Sequence, residues 1–499
     1  MLRRSHRRAI VAALAVATGA CSKTKAPATR PPARAGAVAA PAAAPPPPPA
    51  ERVAFVGARV MTAAGVTYDR GVVLVEGDRI AAVGAGIAIP EGARVVDVAG
   101  KVITPGLIDT HSHIGVYPAP YFSAHQDGNE VVDPITPYAR AEDGYWPQDP
   151  QIDRARAGGV TTMQILPGSA NLIGGRSVVV RTVPGARSVH DARFPGAPDG
   201  LKMACGENPK RVYGDKNGPD TRMGNIAGFR RAFQAAVEYR EAWRRYEAAL
   251  ESYDEDEDEA PPEPPARDFG LETLAGVLDG KILVHNHCYR ADEMSIMLEL
   301  AREFGFRIRS FHHAVEAYKI ADRLAEAGTA ASVWADWWGF KAEAFDSVRE
   351  NAAMLELAGA RAIIHSDSPL GIQRLNQEAA KAMFAGRRAG IEVSEDQALR
   401  WITANPAWAL GIEDEVGTLE PGKLADLVVW DASPFSVYAH VEQVYLGGRL
   451  VYDRRREENP HTDFETGLAP FDLAPEGIDA PLAPKAARPK APADRKEDR

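Results

Sequence analysis

About eight short apolar runs, separated by helical patterning, fill residues 104 to 414. The first ends in Leu107-Ile108-Asp109-Thr110-His111-Ser112-His113. The others centre on Val160-Thr161-Thr162-Met163, Val178-Val179-Val180, Leu201-Lys202-Met203, Ile282-Leu283-Val284, Arg307-Ile308-Arg309, Ala331-Ser332-Val333 and Ala362-Ile363-Ile364. Helical patterns such as Ala291 to Phe304 and Ala317 to Ala327 lie between them. Alternating strand and helix predicts a parallel sheet, and about eight such units over about 300 residues predict a closed (β/α)8, TIM-like barrel. Chemistry in such barrels sits at the C-terminal ends of the strands, so the strand ends become the candidate positions.

The flanks read differently. Residues 51–103 carry short β-rich runs (Val53 to Val56, Val72 to Val75, Ile80 to Val83) punctuated by Gly and Asp. Residues 415–456 repeat the pattern with Asp426 to Trp430 and Val441 to Tyr452. One small β-sandwich domain built from both ends of the catalytic region is the economical reading. An insertion, residues 226–268, opens as a charged helical run and continues through the acidic run Asp254 to Glu259 into Pro261-Pro262-Glu263-Pro264-Pro265. It reads as a solvated surface excursion, with a flap over the site as the alternative.

Arg3, Arg4, Arg7 and Arg8 precede a nine-residue apolar run, Ala9 to Ala17. A transmembrane helix needs about 20 residues, so residues 1–21 read as a signal peptide. Thr18-Gly19-Ala20-Cys21 resembles a bacterial lipobox, with Thr18 where Leu is usual. The expected product is a lipoprotein anchored at Cys21, exported to the periplasm or cell envelope and touching membrane only through that anchor. Residues 22–50, Ala/Pro-rich and ending in Pro45 to Pro49, read as a disordered tether, and residues 457–499 as a largely disordered tail. The net charge is −10, yet residues 1–50 hold eight Lys/Arg and no Asp/Glu, which leaves the remainder at −18. An acidic body excludes nucleic acid as a partner. Of the three cysteines, Cys205 and Cys288 could pair, but a chain of this size needs no staple and no disulfide is expected.

On a strand, alternate residues point the same way, so His111 and His113 project together and can share one metal. Lys202 is unusual inside an apolar strand, because burying an ammonium is costly. A carbamate formed from CO2 would explain it, as an anionic bridge between two cations; Glu207, just beyond, is the substitute carboxylate. The fifth run ends Val284-His285-Asn286-His287, and either histidine is a candidate ligand. The sixth ends Phe311-His312-His313, where the two rings should point to opposite faces, so that only one faces the lumen. The eighth ends Ile364-His365-Ser366-Asp367-Ser368-Pro369, with Asp367 as candidate base.

These residues resemble the amidohydrolase superfamily over residues 52 to 455. The likeness rests on Pro105 to His113, Gly159-Val160-Thr161-Thr162, His365 to Pro369, Thr403-Ala404-Asn405-Pro406-Ala407 and Gly417 to Leu427. It is strongest to the imidazolonepropionase-like and prolidase-like branch. The resemblance implies His111 and His113 on the buried metal, Asp367 as ligand and catalytic base, and His287 rather than His285 as the fifth-strand ligand. It implies His313 on the sixth strand, with His312 where the branch has Glu, and Lys202 as a carboxylated lysine. The run Leu166 to Gly175 suits a loop whose backbone approaches the substrate through Asn171, Gly174 and Gly175; a tight structural turn fits equally.

Imidazole and carboxylate ligands suit zinc or a similar divalent ion, one or two per chain. Two cations sharing a water bring it to hydroxide near neutral pH. That hydroxide attacks a carbonyl carbon, and Asp367 passes the proton to the leaving nitrogen. The expected activity is hydrolysis of C–N bonds in an amide, dipeptide, N-acyl amino acid or cyclic amide. A mononuclear deaminase or imidazolonepropionase-type hydrolase, and a non-catalytic surface lipoprotein on the same fold, are the rival readings. Arg176, Arg211 and Arg290 are candidates for reading a substrate carboxylate, Trp334, Trp337 and Trp338 pack the barrel rim or line a pocket, and a homo-oligomer is left open.

Overall fold

The computed structural model describes residues 51–118, 123–216, 218–254 and 260–456. The expected signal peptide, tether, C-terminal tail and most of the acidic run 254–259 lie outside the described residues.

The strands, in chain order, are β1 (Arg52–Met61), β2 (Thr67–Glu76), β3 (Arg79–Ala85), β4 (Arg94–Asp97), β5 (Val102–Pro105), β6 (Leu107–Ser112), β7 (Val160–Ile165), β8 (Ile173–Arg181), β9 (Gly200–Ala204), β10 (Leu283–His287), β11 (Ile308–His312), β12 (Ala330–Val333), β13 (Ala362–Ile364), β14 (Leu427–Trp430), β15 (Val441–Leu446) and β16 (Arg449–Asp453). They form two sheets. One runs β16-β15-β14-β5-β1-β2-β3, with β4 also on β1, and so joins both ends of the described chain. Alternate residues Val53 and Phe55, Val73 and Val75, Leu427 and Val429 share its apolar core, the period-two signature of a sheet with one packed face. In hydrogen-bond terms the expected sandwich is one continuous sheet. Irregularities in β1 at Val56/Ala58 and Ala58/Val60 let its first half pair with β4 and its second half with β5.

The other sheet runs β6 through β13 in sequence order, a nearly closed eight-stranded barrel. Its strands are buried on both faces, every residue of β6 and β7 included. One strand departs from the all-parallel expectation: β8 is antiparallel to both β7 and β9. The reason is local. Only residues 166–172 separate β7 from β8, too few for the crossover that a parallel return requires. The run Leu166 to Gly175 is therefore a hairpin connection. Gly175 has φ +113°, and a Cβ there would stand 2.4 Å from the Ala139 carbonyl oxygen. The backbone that approaches this loop so closely is the segment 129–139.

The first and last barrel strands meet through a side chain. The Asp109 carboxylate, in the middle of β6, accepts from Ser366 N (3.1 Å) and from Ser366 Oγ just past β13, while Asp367 N donates to the His111 carbonyl (3.0 Å). The insertion forms a 30-residue helix, Arg222–Glu251, whose buried positions Phe229, Ala232, Phe233 and Ala236 all lie in its first half. Phe233 stacks on Phe306 at 4.4 Å, which places the helix on the barrel flank beside β11. Among the described residues no helix is long and apolar enough to cross a membrane.

Candidate metal centre

Three ligand atoms converge at the C-terminal mouth of the barrel. His111 Nε2 lies 3.3 Å from His113 Nε2, and Asp367 Oδ1 lies 3.5 Å and 3.3 Å from them. Ligand atoms about 2.0–2.1 Å from one tetrahedral ion stand about 3.3–3.4 Å apart, so the triad fits a single divalent ion. Its electronic state fits as well. His113 Nδ1 contacts the Leu166 carbonyl at 2.8 Å. A carbonyl only accepts, so the ring carries its proton there and turns a bare Nε2 toward the triad. His111 Nδ1 meets His312 Nδ1 at 2.9 Å, and His312 Nε2 meets His285 Nδ1 at 3.0 Å. A bare Nε2 on His111 thus sends protons down this relay to His285 Nε2, a buried atom without a protein partner. Burial, ahead of the charge of Lys202, holds His111 well below the usual imidazole range, and burial does the same for His287, His312 and His313. Neutral imidazoles are what a metal site requires.

The sixth strand corrects the alternation argument. Both His312 and His313 enter the cluster. β11 ends at His312, and His313 has φ +58°, a left-handed conformation that breaks the period of two. His313 Nε2 comes to 3.7 Å from Asp367 Oδ2, and Asp367 itself has φ +50°. Two of the three non-glycine residues with positive φ among those described therefore belong to the site, where such strain is commonly held.

Two predicted ligands stand apart from the Asp367 carboxylate. The His287 ring lies 4.8 Å from that of His313, and its Nε2 faces Asn208 Nδ2 at 3.5 Å. His285, two residues earlier, reaches deeper and backs His312. Lys202 is fully buried and donates to the Pro167 carbonyl at 2.9 Å; burial pulls its ammonium down to about 7, against the opposing pull of Asp367. Burial thus favours the neutral amine, the form that adds CO2. Glu207 is engaged by Lys341 at 3.1 Å. The Asn171 amide nitrogen is taken by the carbonyls of Glu130 and Asp133, which anchors the neighbouring segment. Gly174 lines a cavity of about 430 Å³ with Pro167, Asn129, Asp127 and Glu130. Arg176 is paired with Asp199 and Arg290 with Asp292. Trp334 stacks on the His313 ring at 4.5 Å and donates through Nε1 to the Ser366 carbonyl, while Trp337 is half exposed beside it.

Three features are not foreseen by the sequence pattern. Cys205 and Cys288 form a disulfide, with Cα atoms 5.4 Å apart. They sit one residue past the ends of the neighbouring strands β9 and β10, where parallel register brings them together regardless of chain length. His365 lies against His313 and Val333, and Asp109 closes the barrel; the signal for both was a polar group embedded in a fully buried strand or strand end.

Two neutral imidazoles and a carboxylate at the strand ends of such a barrel are a ligand set for a divalent ion. Residues 342–452 match the sequence profile described as the Amidohydrolase family. The solved structure of an amidohydrolase from Thermotoga maritima is 37% identical and superposes with a TM-score of 0.72, covering 81% of this chain and 100% of that one. The amidohydrolase tasK of Hapsidospora irregularis is 38% identical over 387 residues, which is 73% of this chain but only 38% of that longer protein. An imidazolonepropionase of Mesorhizobium japonicum is 27% identical over 68% of this chain and 80% of its own length. The chain belongs to the amidohydrolase family.

Proposed function

We propose that the protein hydrolyses an amide, dipeptide, N-acyl amino acid or cyclic amide, with Asp367 as general base and acid and zinc as the resident ion. The observation that carries this is the His111, His113 and Asp367 triad, with ligand atoms 3.3–3.5 Å apart. A divalent ion held there supplies the Lewis acidity that makes water nucleophilic near neutral pH and polarises a carbonyl. The residues supply the rest. His111 and His113 offer neutral lone pairs. Asp367, whose side chain is 26% exposed, is the one carboxylate of the triad and the group open to substrate. It takes the proton of the attacking water and returns it to the leaving nitrogen. Trp334 walls the far side of His313 and keeps bulk water from it.

A second reading, a mononuclear deaminase or imidazolonepropionase-type hydrolase with Lys202 uncarboxylated, stands against a two-ion site bridged by a carboxylated Lys202, and the likeness to the Mesorhizobium japonicum imidazolonepropionase supports it. Metal content separates the two: near two per chain identifies the carboxylated form. The test of function is a hydrolysis screen of dipeptides and N-acyl amino acids on zinc-loaded protein; turnover abolished by chelation supports the proposal, and turnover insensitive to chelation overturns it. Export with a lipid anchor at Cys21 belongs to the same proposal, supported by the Cys205–Cys288 disulfide, since such bonds persist in oxidising compartments.

A further inference from the structure

We infer that His365 is a positioning residue that fixes the tautomer of His313, not a ligand; this rests on the metal-dependent reading above. The rings of His111, His313 and His365 crowd together closely enough that all three could be assigned to an ion. Their hydrogen bonds divide them. His365 Nδ1 contacts the Val333 carbonyl at 3.0 Å, and a carbonyl can only accept, so Nδ1 bears the proton. In a neutral imidazole, Nε2 is then a lone pair. That lone pair lies 2.8 Å from His313 Nδ1, which must donate to it. The proton of His313 is thereby held at Nδ1, and its Nε2 is left bare on the side of Asp367 Oδ2.

The stack is fixed in orientation as well as in proton position. Trp334 lies nearly parallel to both rings, 4.5 Å from His313 and 5.2 Å from His365. Turning His365 Nε2 to an ion instead would leave the His313 Nδ1–H buried beside no acceptor. The left-handed backbone of His313 makes such support necessary, because no strand ladder fixes this residue's direction. Metal-binding histidines commonly donate their second nitrogen to a carboxylate or carbonyl. Here a neutral imidazole takes that place, so no further negative charge is added beside Asp367.

The test is long-range proton–nitrogen NMR on metal-free protein labelled at histidine, with His313→Gln and His365→Gln used to assign the two rings. Both rings are expected as the Nδ1–H tautomer before zinc. On zinc addition His313 Nε2 moves to the metal-bound range and His365 Nε2 does not. An Nε2–H tautomer of His313 in metal-free protein, or a metal-bound shift on His365, overturns the inference. Zinc affinity by chelator competition supplies the second arm. His365→Leu should bind about 10- to 100-fold more weakly, and His365→Gln, which keeps an acceptor, should recover most of that loss. Equal losses in the two variants overturn it. A protein that takes up no zinc would refute the proposed function, while the tautomers of the metal-free protein still decide the role of His365.

Discussion

Removing the Cys205–Cys288 bond tests the structure at the point where it departs furthest from the sequence expectation. The bond spans 83 positions. Loop-closure entropy for a loop of that size is about 15 cal/mol/K, or about 4.5 kcal/mol of denatured-state destabilisation at 25 °C. Unfolding about 400 described residues at about 2.1 cal/mol/K each releases about 0.8 kcal/mol/K, so the loss converts to a fall in Tm of about 5 °C. The assay is calorimetry of the native protein against the double variant Cys205→Ser/Cys288→Ser, beside peptide mapping of unreduced protein after alkylation. Mapping should return a Cys205–Cys288 cross-linked pair. Alkylation of both thiols in unreduced protein, or an unchanged Tm in the double variant, would refute the reasoning. The backbone bond from Cys205 N to the His287 carbonyl, 2.9 Å, places any loosening beside a candidate ligand, so hydrolysis should decline with the Tm.

Asp367→Asn keeps the shape of the side chain and removes its basicity; kcat should fall by about 10²- to 10⁴-fold with the fold intact by circular dichroism. For Lys202, burial lowers the folded-state pKa from 10.5 to about 7, so the unfolded chain binds more protons between those values. Stability of the metal-free protein should therefore rise with pH from about 7 to about 10, and Lys202→Met should lack that rise. Urea midpoints in CO2-free buffer decide it, and parallel pH profiles would contradict it. Asp109→Ala strips the acceptor from His111 N, Ser366 N and Ser366 Oγ at the barrel seam, each a buried donor. A loss on the order of 1–3 kcal/mol in urea unfolding is expected, and an unchanged midpoint would show that the seam is held elsewhere.

The barrel was legible because its apolar strands carry histidine, lysine and aspartate toward their C-terminal ends, where a strand serving only as core would stay apolar. The pairing of His111 with His113 followed from the period of two within one strand. That rule stops where a strand stops, which is why it admitted only one of His312 and His313 to the lumen: the left-handed φ of His313 is a property of the loop, not of the residue spacing. His365 and Asp109 act across strands that are distant in sequence, so one strand's pattern carries no trace of the partner. The antiparallel β8 was hidden for a simpler reason. Its apolar run looks the same in either direction, and only the shortness of the 166–172 connection reports the reversal. Cys205 and Cys288 were judged by chain length, when what matters is the parallel register of β9 and β10.

The central claim is that His111, His113 and Asp367 hold the ion on which hydrolysis depends. Metal content per chain and amide hydrolysis, measured side by side on wild-type protein and His113→Ala, test it most directly. The wild type should carry at least one divalent ion per chain and turn over its substrate, while His113→Ala should lose both metal and turnover with its fold intact. A His113→Ala protein with unchanged metal content and unchanged activity would contradict the assignment.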